Sequence, residues 1–458
     1  MQTLDRLATV ADSRTETAPA VPSIRSPKRT ARATDDSRAN WFRYYAGFSA
    51  GFVEDVINQL DLRPGAILLD PWLGSGTTSE VATKMGYQIR GFDLNPAMLL
   101  VARARLLPTE AAENIATLVK RICHVSAKDI LRPETMPKAD TCDPLEQWLQ
   151  PASARAFRLV ESRIAAVVSD HTYSSASPIW KDAGQVSPTV AFFYVGLFRT
   201  LRYFISKFQS SNPTWVKVSK GNPRIQLALR RIYNRFLNEI TLLQDALILE
   251  NRKMPSVGKR RCVITQASSL KLPLHSNSVD AVLSSPPYCT RIDYVRATLP
   301  ELAVLRFPNG ESIRRMREQM IGTPTISKDS YDHTHAWGPT CNRFLSKVED
   351  HSSKASSTYY LKYYRQYFAS AFASLYEIDR VLNKSGQCAL VIQDSYYKEV
   401  LNDLPTIYCE MAKEVRWELI QRIDFPVKRT LAGINPQVKQ YRNAFKAVES
   451  ALIFRTNM

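Results

Sequence analysis

Between Ala66 and Leu107 the chain carries the feature that most restricts its fold. Pro64-Gly65 turns it into a short apolar strand, Ala66-Ile67-Leu68-Leu69-Asp70, ending on an acid. Gly74-Ser75-Gly76 follows at once, and Thr77 and Thr78 are placed to cap a helix starting there. Gln88 to Phe92 reads as a second strand ending on Asp93, and Leu99 to Leu107 as the next helix. The order strand, glycine loop, helix, strand, acid predicts an α/β fold: an open, mostly parallel sheet with helices on both faces. In such sheets ligands bind beyond the carboxyl ends of the strands.

The loop also limits the ligand. Without side chains at Gly74 and Gly76, backbone N–H groups can approach an anionic or polar group closely. A pyrophosphate fingerprint would have a third glycine at position 79, which is Ser79. A smaller head, such as an amino-acid carboxylate, suits the loop better. Asp93 is placed to accept two hydrogen bonds from ribose hydroxyls; its alternative reading is a helix cap before Asn95-Pro96.

A later strand, Val279 to Leu283, runs through Ser284 into Ser285-Pro286-Pro287-Tyr288. Consecutive prolines hold a stiff, non-helical backbone. The Pro286 carbonyl and the Ser285 hydroxyl can then accept both protons of an exocyclic amine, biasing its nitrogen toward a nucleophilic geometry. Tyr288 offers a face on which an extruded base could stack. An ordinary loop or a polyproline ligand is the alternative reading, and the position directly after an apolar strand argues against it.

Together these residues resemble the amino-methyltransferases that modify DNA bases, in the Ser-Pro-Pro-Tyr branch associated with cytosine N4. The resemblance covers roughly 41 to 107, 261 to 305 and 364 to 456. It implies a Rossmann-like methyltransferase sheet and S-adenosyl-L-methionine as cofactor, with Asp70, Pro71, Gly74, Gly76 and Thr77 around its methionine part and Asp93 on its ribose. It also implies that Ser285, Pro286, Pro287 and Tyr288 grip the target amine. Tyr44-Tyr45-Ala46-Gly47-Phe48 is similar to the family's aromatic segment, with Tyr45 where a proline is common, so Tyr44 and Phe48 are expected to pack against cofactor. Arg291-Ile292-Asp293-Tyr294 and Pro300-Glu301-Leu302 look like the family's continuation. Where the family often has Gly-Asp-Ala, this chain has Thr265-Gln266-Ala267, and Gln266 is expected to accept the adenine amine through its amide oxygen. Adenine N6 is the alternative target within the class; RNA or protein substrates, or an inactive DNA-binding protein, are the alternatives outside it. Carbon-5 methylation of cytosine needs an activated thiol, typically in a Pro-Cys element, which this chain lacks.

The remaining sequence supplies partners and boundaries. The chain of 458 residues carries a formal charge of +18, which favours a polyanion, double-stranded DNA on this reading. Between Arg199 and Arg261 fourteen Lys and Arg face three acids, in long helical stretches with Trp215, Tyr233 and an Asn212-Pro213-Thr214 turn. By analogy with the motif order of the family it resembles, the insert over 131–260 is the candidate target-recognition region and 307–357 a second candidate, with Lys217, Arg230, Arg231, Arg235 and, beyond the insert, Arg291 as candidate DNA contacts; a solvated helix face is the alternative. The expected organisation is a flexible tail over 1–38, a cofactor half over 39–130, a helical basic insert over 131–260, a catalytic segment over 261–306, a loop-rich insert over 307–357 and the C-terminal half over 358–458. Scattered, odd-numbered cysteines without a CxxC pair give no zinc or disulfide framework. A start without the apolar stretch of a signal peptide, and no apolar run long enough to span a bilayer, lead to the expectation of a cytoplasmic enzyme with no membrane partner. No nuclease constellation is visible, so any restriction endonuclease that works with this chain is expected on a separate one.

Overall fold

The strand-forming runs are short and rich in aliphatic residues, and they assemble around one sheet in a computed structural model. It describes residues 24–28, 38–43, 47–124, 143–168, 178–210, 216–218, 223–251, 262–326, 337–427 and 447–457. In chain order the elements are α1 (Ala50–Gln59), β1 (Ile67–Asp70), α2 (Thr77–Met85), β2 (Gln88–Asp93), α3 (Pro96–Arg105), α4 (Ala112–Cys123), α5 (Pro151–Val167), α6 (Pro188–Phe204), α7 (Leu229–Asn251), β3 (Cys262–Gln266) and β4 (Val279–Ser284). There follow α8 (Tyr294–Ala297), α9 (Leu299–Val304), α10 (Glu311–Gln319), α11 (Pro339–Glu349), α12 (Leu361–Val381), β5 (Leu382–Gln393), β6 (Ser395–Tyr397), β7 (Val400–Asn402), α13 (Leu404–Glu414), β8 (Trp417–Val427) and β9 (Ala447–Thr456).

The main sheet runs β3-β2-β1-β4-β5-β9-β8. Neighbours from β3 to β5 pair in parallel, whereas β9 lies antiparallel between β5 and β8. The chain leaves β1 toward one edge and returns through β4 on the other side, so β1 and β4 flank the switch point where a crevice opens at their carboxyl ends.

Strand alternation separates two cores. Leu68, Ile89, Ala281 and Leu283 face α1 and α2, meeting Phe52, Val53, Val56 and Ile57. Leu69, Val282, Leu390 and Leu452 face the other way, onto α11, α12 and α13. A third core joins α3 to α4, α5, α6, α7 and α9. Within it α6 buries residues on every side, including Phe192, Phe193, Tyr194 and Phe198, as expected of a helix at the centre of a layer. Each such side chain contributes about 1.5–3 kcal/mol by leaving water. The basic helical segment therefore shares its apolar interior with the cofactor half through α3.

Several expectations change. The first residue of α2 is preceded by Gly76 at φ +77°, with no side-chain cap from the threonines. A Cβ at Gly76 would stand 2.5 Å from that of Ala102, so this glycine lets α2 start against α3. The stretch from 307 to 357, expected to be loop-rich, contains α10 and α11. Ser385 takes φ +63° inside β5, where pairing with β4 slips. Two pieces of the expected flexible tail are anchored. Arg25 bonds Asp55 and Glu54 of α1. Arg38 is buried, paired with Glu250 at 2.6 Å and donating to the carbonyls of Arg105 and Leu107 just after α3, where helix-end carbonyls attract a cation. Among the described residues no helix is long and apolar enough to cross a membrane.

Candidate active site

At the switch point one cleft, open to solvent, joins the two sequence motifs. The loop after β1 contributes Pro71, Trp72, Leu73, Gly74 and Ser75, and the start of α2 contributes Thr77. The end of β2 contributes Asp93, and the segment after β4 contributes Ser285, Pro286, Pro287 and Tyr288. Phe48 closes one wall from the chain entering α1. Tyr44 lies outside the described residues.

Asp93 connects the glycine loop to the next helix. One carboxylate oxygen accepts the N–H of Gly74 at 2.9 Å and the other that of Asn95 at 2.8 Å. Burial raises its pKa to about 6, against the opposing pull of those backbone donors. The cap of α3 is Asn95, whose side chain accepts the N–H of Ala97, so the capping alternative for Asp93 does not hold. Asp70 sits behind the loop, off the cleft wall, accepting the Ser284 hydroxyl at 2.5 Å and the Trp72 N–H. Burial raises its pKa to about 6 as well. Both Asp70 and Gly76 thus shape the loop without lining the cleft. Gln266 does not line it either: its amide nitrogen donates to the Leu94 carbonyl at 2.8 Å, while the adjacent Ala267, Ser268 and Ser269 form the wall.

On the opposite side, the Ser285 hydroxyl donates to the Val391 carbonyl of β5 at 2.9 Å, which fixes the oxygen and leaves its lone pairs as acceptors. The Pro287 carbonyl accepts the Tyr367 hydroxyl. Among the described residues nothing donates to the Pro286 carbonyl. Tyr288 hydrogen-bonds through its hydroxyl to Glu449 of β9. Cys289 next to it is buried, and burial pushes its thiol well up, opposite to what an activated nucleophile requires.

Sequence reading missed the walls that come from apolar or distant residues: Trp72, Met98 of α3, Tyr294, Gln319 at the end of α10, and Met320 and Ile321 after it. Gly322, at φ +79°, lies so close to the Tyr288 carbonyl that a Cβ there would stand 2.9 Å from it. The 319–322 strand of chain therefore presses on the Ser-Pro-Pro-Tyr loop. No local pattern announces that contact.

The basic residues divide into two groups. Arg291, exposed just after the loop, holds its guanidinium 4.9 Å from the Tyr360 ring and 5.5 Å from the Tyr359 ring. Lys217, Arg230 and Arg231 are exposed. Arg235, counted among the DNA contacts, is instead committed within the protein: it pairs with Glu239, which also takes Arg199, and it stacks 3.7 Å over Tyr203. Acids distant in sequence neutralise others, Glu301 pairing with Arg202 and Glu146 with Arg224. The Trp215 and Asn212-Pro213-Thr214 features lie outside the described residues.

A mostly parallel seven-stranded sheet with one antiparallel strand next to its edge, and two loops meeting at its switch point, make this an open, Rossmann-like α/β fold. No protein-family model matches the chain. It is similar to the Type II methyltransferase M.BsoBI of Geobacillus stearothermophilus, 24% identical over 308 residues covering 63% of this chain and 56% of that protein. It is likewise similar to the Type II methyltransferase M.AvaI of Nostoc sp., 21% identical over 318 residues covering 68% of this chain and 62% of that one. The chain thus spans less than two thirds of the length of these curated relatives. Among solved structures, the rRNA methyltransferase aviRa from Streptomyces viridochromogenes matches at a TM-score of 0.31 and 11% identity over 95% of this chain and 96% of that chain. That likeness is too loose to carry an argument.

Proposed function

We propose that this chain is an S-adenosylmethionine-dependent DNA methyltransferase acting on an exocyclic base amine, with cytosine N4 as its target. The observation that carries the proposal is the single cleft with Asp93 and the glycine loop at one end and Ser285-Pro286-Pro287-Tyr288 at the other. The similarity to Type II methyltransferases supports it.

The residues present fit the cofactor. Asp93 provides a carboxylate for ribose hydroxyls, while Phe48, Trp72 and Met98 provide apolar wall for a flat ring. S-adenosylmethionine, when bound, supplies an electrophilic methyl group whose departure leaves a neutral thioether. Everything else falls to side chains and backbone of the protein. Ser285 and Pro286 orient the amine by accepting hydrogen bonds from its two N–H groups, one of whose protons is released to solvent after transfer, and Tyr288 offers a face to the extruded base. Positioning of this kind is worth orders of magnitude when reacting atoms are held in line. No covalent adduct to the enzyme is needed, in keeping with the buried, poorly ionised Cys289. The choice of cytosine N4 over adenine N6 rests on the resemblance of the Ser-Pro-Pro-Tyr element.

The test is transfer of labelled methyl to amplified, unmethylated bacterial DNA by the wild type and by a Ser285→Ala, Tyr288→Ala double variant. Loss of transfer with retained cofactor affinity is expected. Full transfer by the double variant would put the active site elsewhere.

A further inference from the structure

Glu449 is a buried acid that the reaction described above does not use. It lies near the start of β9, and because β9 runs antiparallel, that start reaches the edge of the sheet where the parallel strands end. In register it stands opposite Gln393 at the end of β5 and Phe425 of β8. Its surface is 5% exposed. One carboxylate oxygen accepts the Tyr288 hydroxyl, and the other, also buried, has no partner among the described residues. The backbone is locked at this point. Asp394 and Val448 exchange bonds of 3.0 and 3.1 Å, the second to the Asp394 carboxylate.

A carboxylate so placed costs stability, since one of its oxygens is removed from water without compensation. An apolar residue in the same strand would suit the fold better. What the acid does provide is a fixed acceptor for one phenol. Lys28, half-buried, adds a favourable charge from the segment docked on α1. That segment also accepts the N–H of Ser49 at Pro27 and its hydroxyl at Ser26, immediately after the Gly47-Phe48 wall of the cleft.

We propose that Glu449 is a positioning residue for the reaction: by accepting the Tyr288 hydroxyl it locks the ring at the angle at which a base is presented to Ser285 and Pro286. This rests on the reading of Tyr288 as the base-stacking face. A ring that merely offered a surface could do so from several rotamers; an anchored ring has one. The anchor therefore acts on turnover more than on DNA capture, and not on cofactor binding, whose contacts are on the far side of the cleft.

The experiment measures kcat and KM for amplified DNA, together with cofactor affinity, in Glu449→Leu, Glu449→Gln, Tyr288→Phe and the Tyr288→Phe, Glu449→Leu double variant. Glu449→Leu should lower kcat about ten- to a hundredfold, the range of one hydrogen bond to a charged group, with cofactor affinity unchanged. Glu449→Gln keeps an acceptor oxygen and should recover most of that loss. Tyr288→Phe keeps the ring but not the anchor and should fall about as far as Glu449→Leu, and the double variant should be no worse than either single one, because both remove the same bond. Wild-type kcat in Glu449→Leu or in Tyr288→Phe, or multiplied losses in the double variant, would overturn the inference. Should Glu449→Leu fail to fold, seen as lost cofactor binding, Tyr288→Phe and Glu449→Gln decide between the same two results. A Tyr288→Ala variant read alongside separates the two levels. If it too retains full transfer, the stacking role of Tyr288 fails; if it alone is inactive, only the role of Glu449 does.

Discussion

The cleft at the carboxyl ends of β1 and β4 and the helical layer of α5, α6 and α7 are built on opposite principles. In the cleft, function-bearing groups other than Asp93 come from short contiguous stretches, 71–77 and 285–288, whose backbones are shaped by glycine and proline. In the helical layer the groups that matter are neutralised or stacked by partners far along the chain, as Arg202 is by Glu301 and Arg199 by Glu239. Motif reading of the first kind of region finds residues that line one cleft. Charge counting misleads on the second, because the excess it finds is a property of a segment and not of a surface.

The sharpest way to break this contrast is at Ser285. Its hydroxyl is tied to Val391 and lends only lone pairs to the cleft, so Ser285→Ala should lower turnover on DNA by a hundredfold or more while DNA and cofactor affinities stay within a few-fold. Steady-state kinetics with separate binding measurements check it. A change confined to KM would mean that Ser285 only helps to bind.

Asp93 comes next. Asp93→Ala removes an acceptor for ribose and also releases the Gly74 N–H that it holds, so cofactor affinity should fall about ten- to a hundredfold, the range for bonds to a charged group. Calorimetry showing unchanged affinity in a folded variant would end the assignment.

The same residue predicts opposite pH trends for binding and stability. Burial raises Asp93 to about 6. A carboxyl raised in the fold contributes stability that is fully present below the unfolded value, about 3.9, and is lost as pH rises through 6. Cofactor binding uses the ionised form, so affinity should decline as pH falls below 6, in the range where the protein gains stability from this group. Asp70, also raised to about 6, has the same sign for stability but does not line the cleft. Titrations of cofactor affinity between pH 5 and 8 should therefore show an acid limb in the wild type that is flattened in Asp93→Asn, and a limb that survives the substitution would point to another group.

The smallest effect separates arginines within the helical layer. Replacing Arg230 and Arg231 with Gln should flatten the salt dependence of DNA binding by roughly 0.9 per lost phosphate contact. Arg235→Gln should leave that slope unchanged and lower thermal stability slightly, since Arg235 is held by Glu239 and Tyr203. Equal slopes for all three variants would mean that this face does not follow the phosphate backbone.

How far the sequence could be read follows from the same physics. The strands β1, β2 and β4 are each legible as apolar runs, and Asp93 and Ser285 as polar residues at strand ends. The setting of Gln266 was not legible, because a motif position does not say which way an amide turns; its nitrogen is held by the Leu94 carbonyl. Met320 and Gly322 were not legible because packing of a separate segment brings the first to the cleft and the second against the Tyr288 carbonyl. Glu449 was hidden for a further reason. Only the antiparallel placement of β9 brings its first residues to the site, and that placement depends on the whole sheet.

The most direct test of the central claim is chemical. DNA from cells expressing this chain, digested to nucleosides and separated by mass, should contain N4-methylcytosine, and DNA from cells expressing the Ser285→Ala variant should contain far less. N6-methyladenine in its place would contradict the choice of base. DNA with neither modification, from cells holding folded protein that binds S-adenosylmethionine, would contradict methylation of a DNA amine altogether.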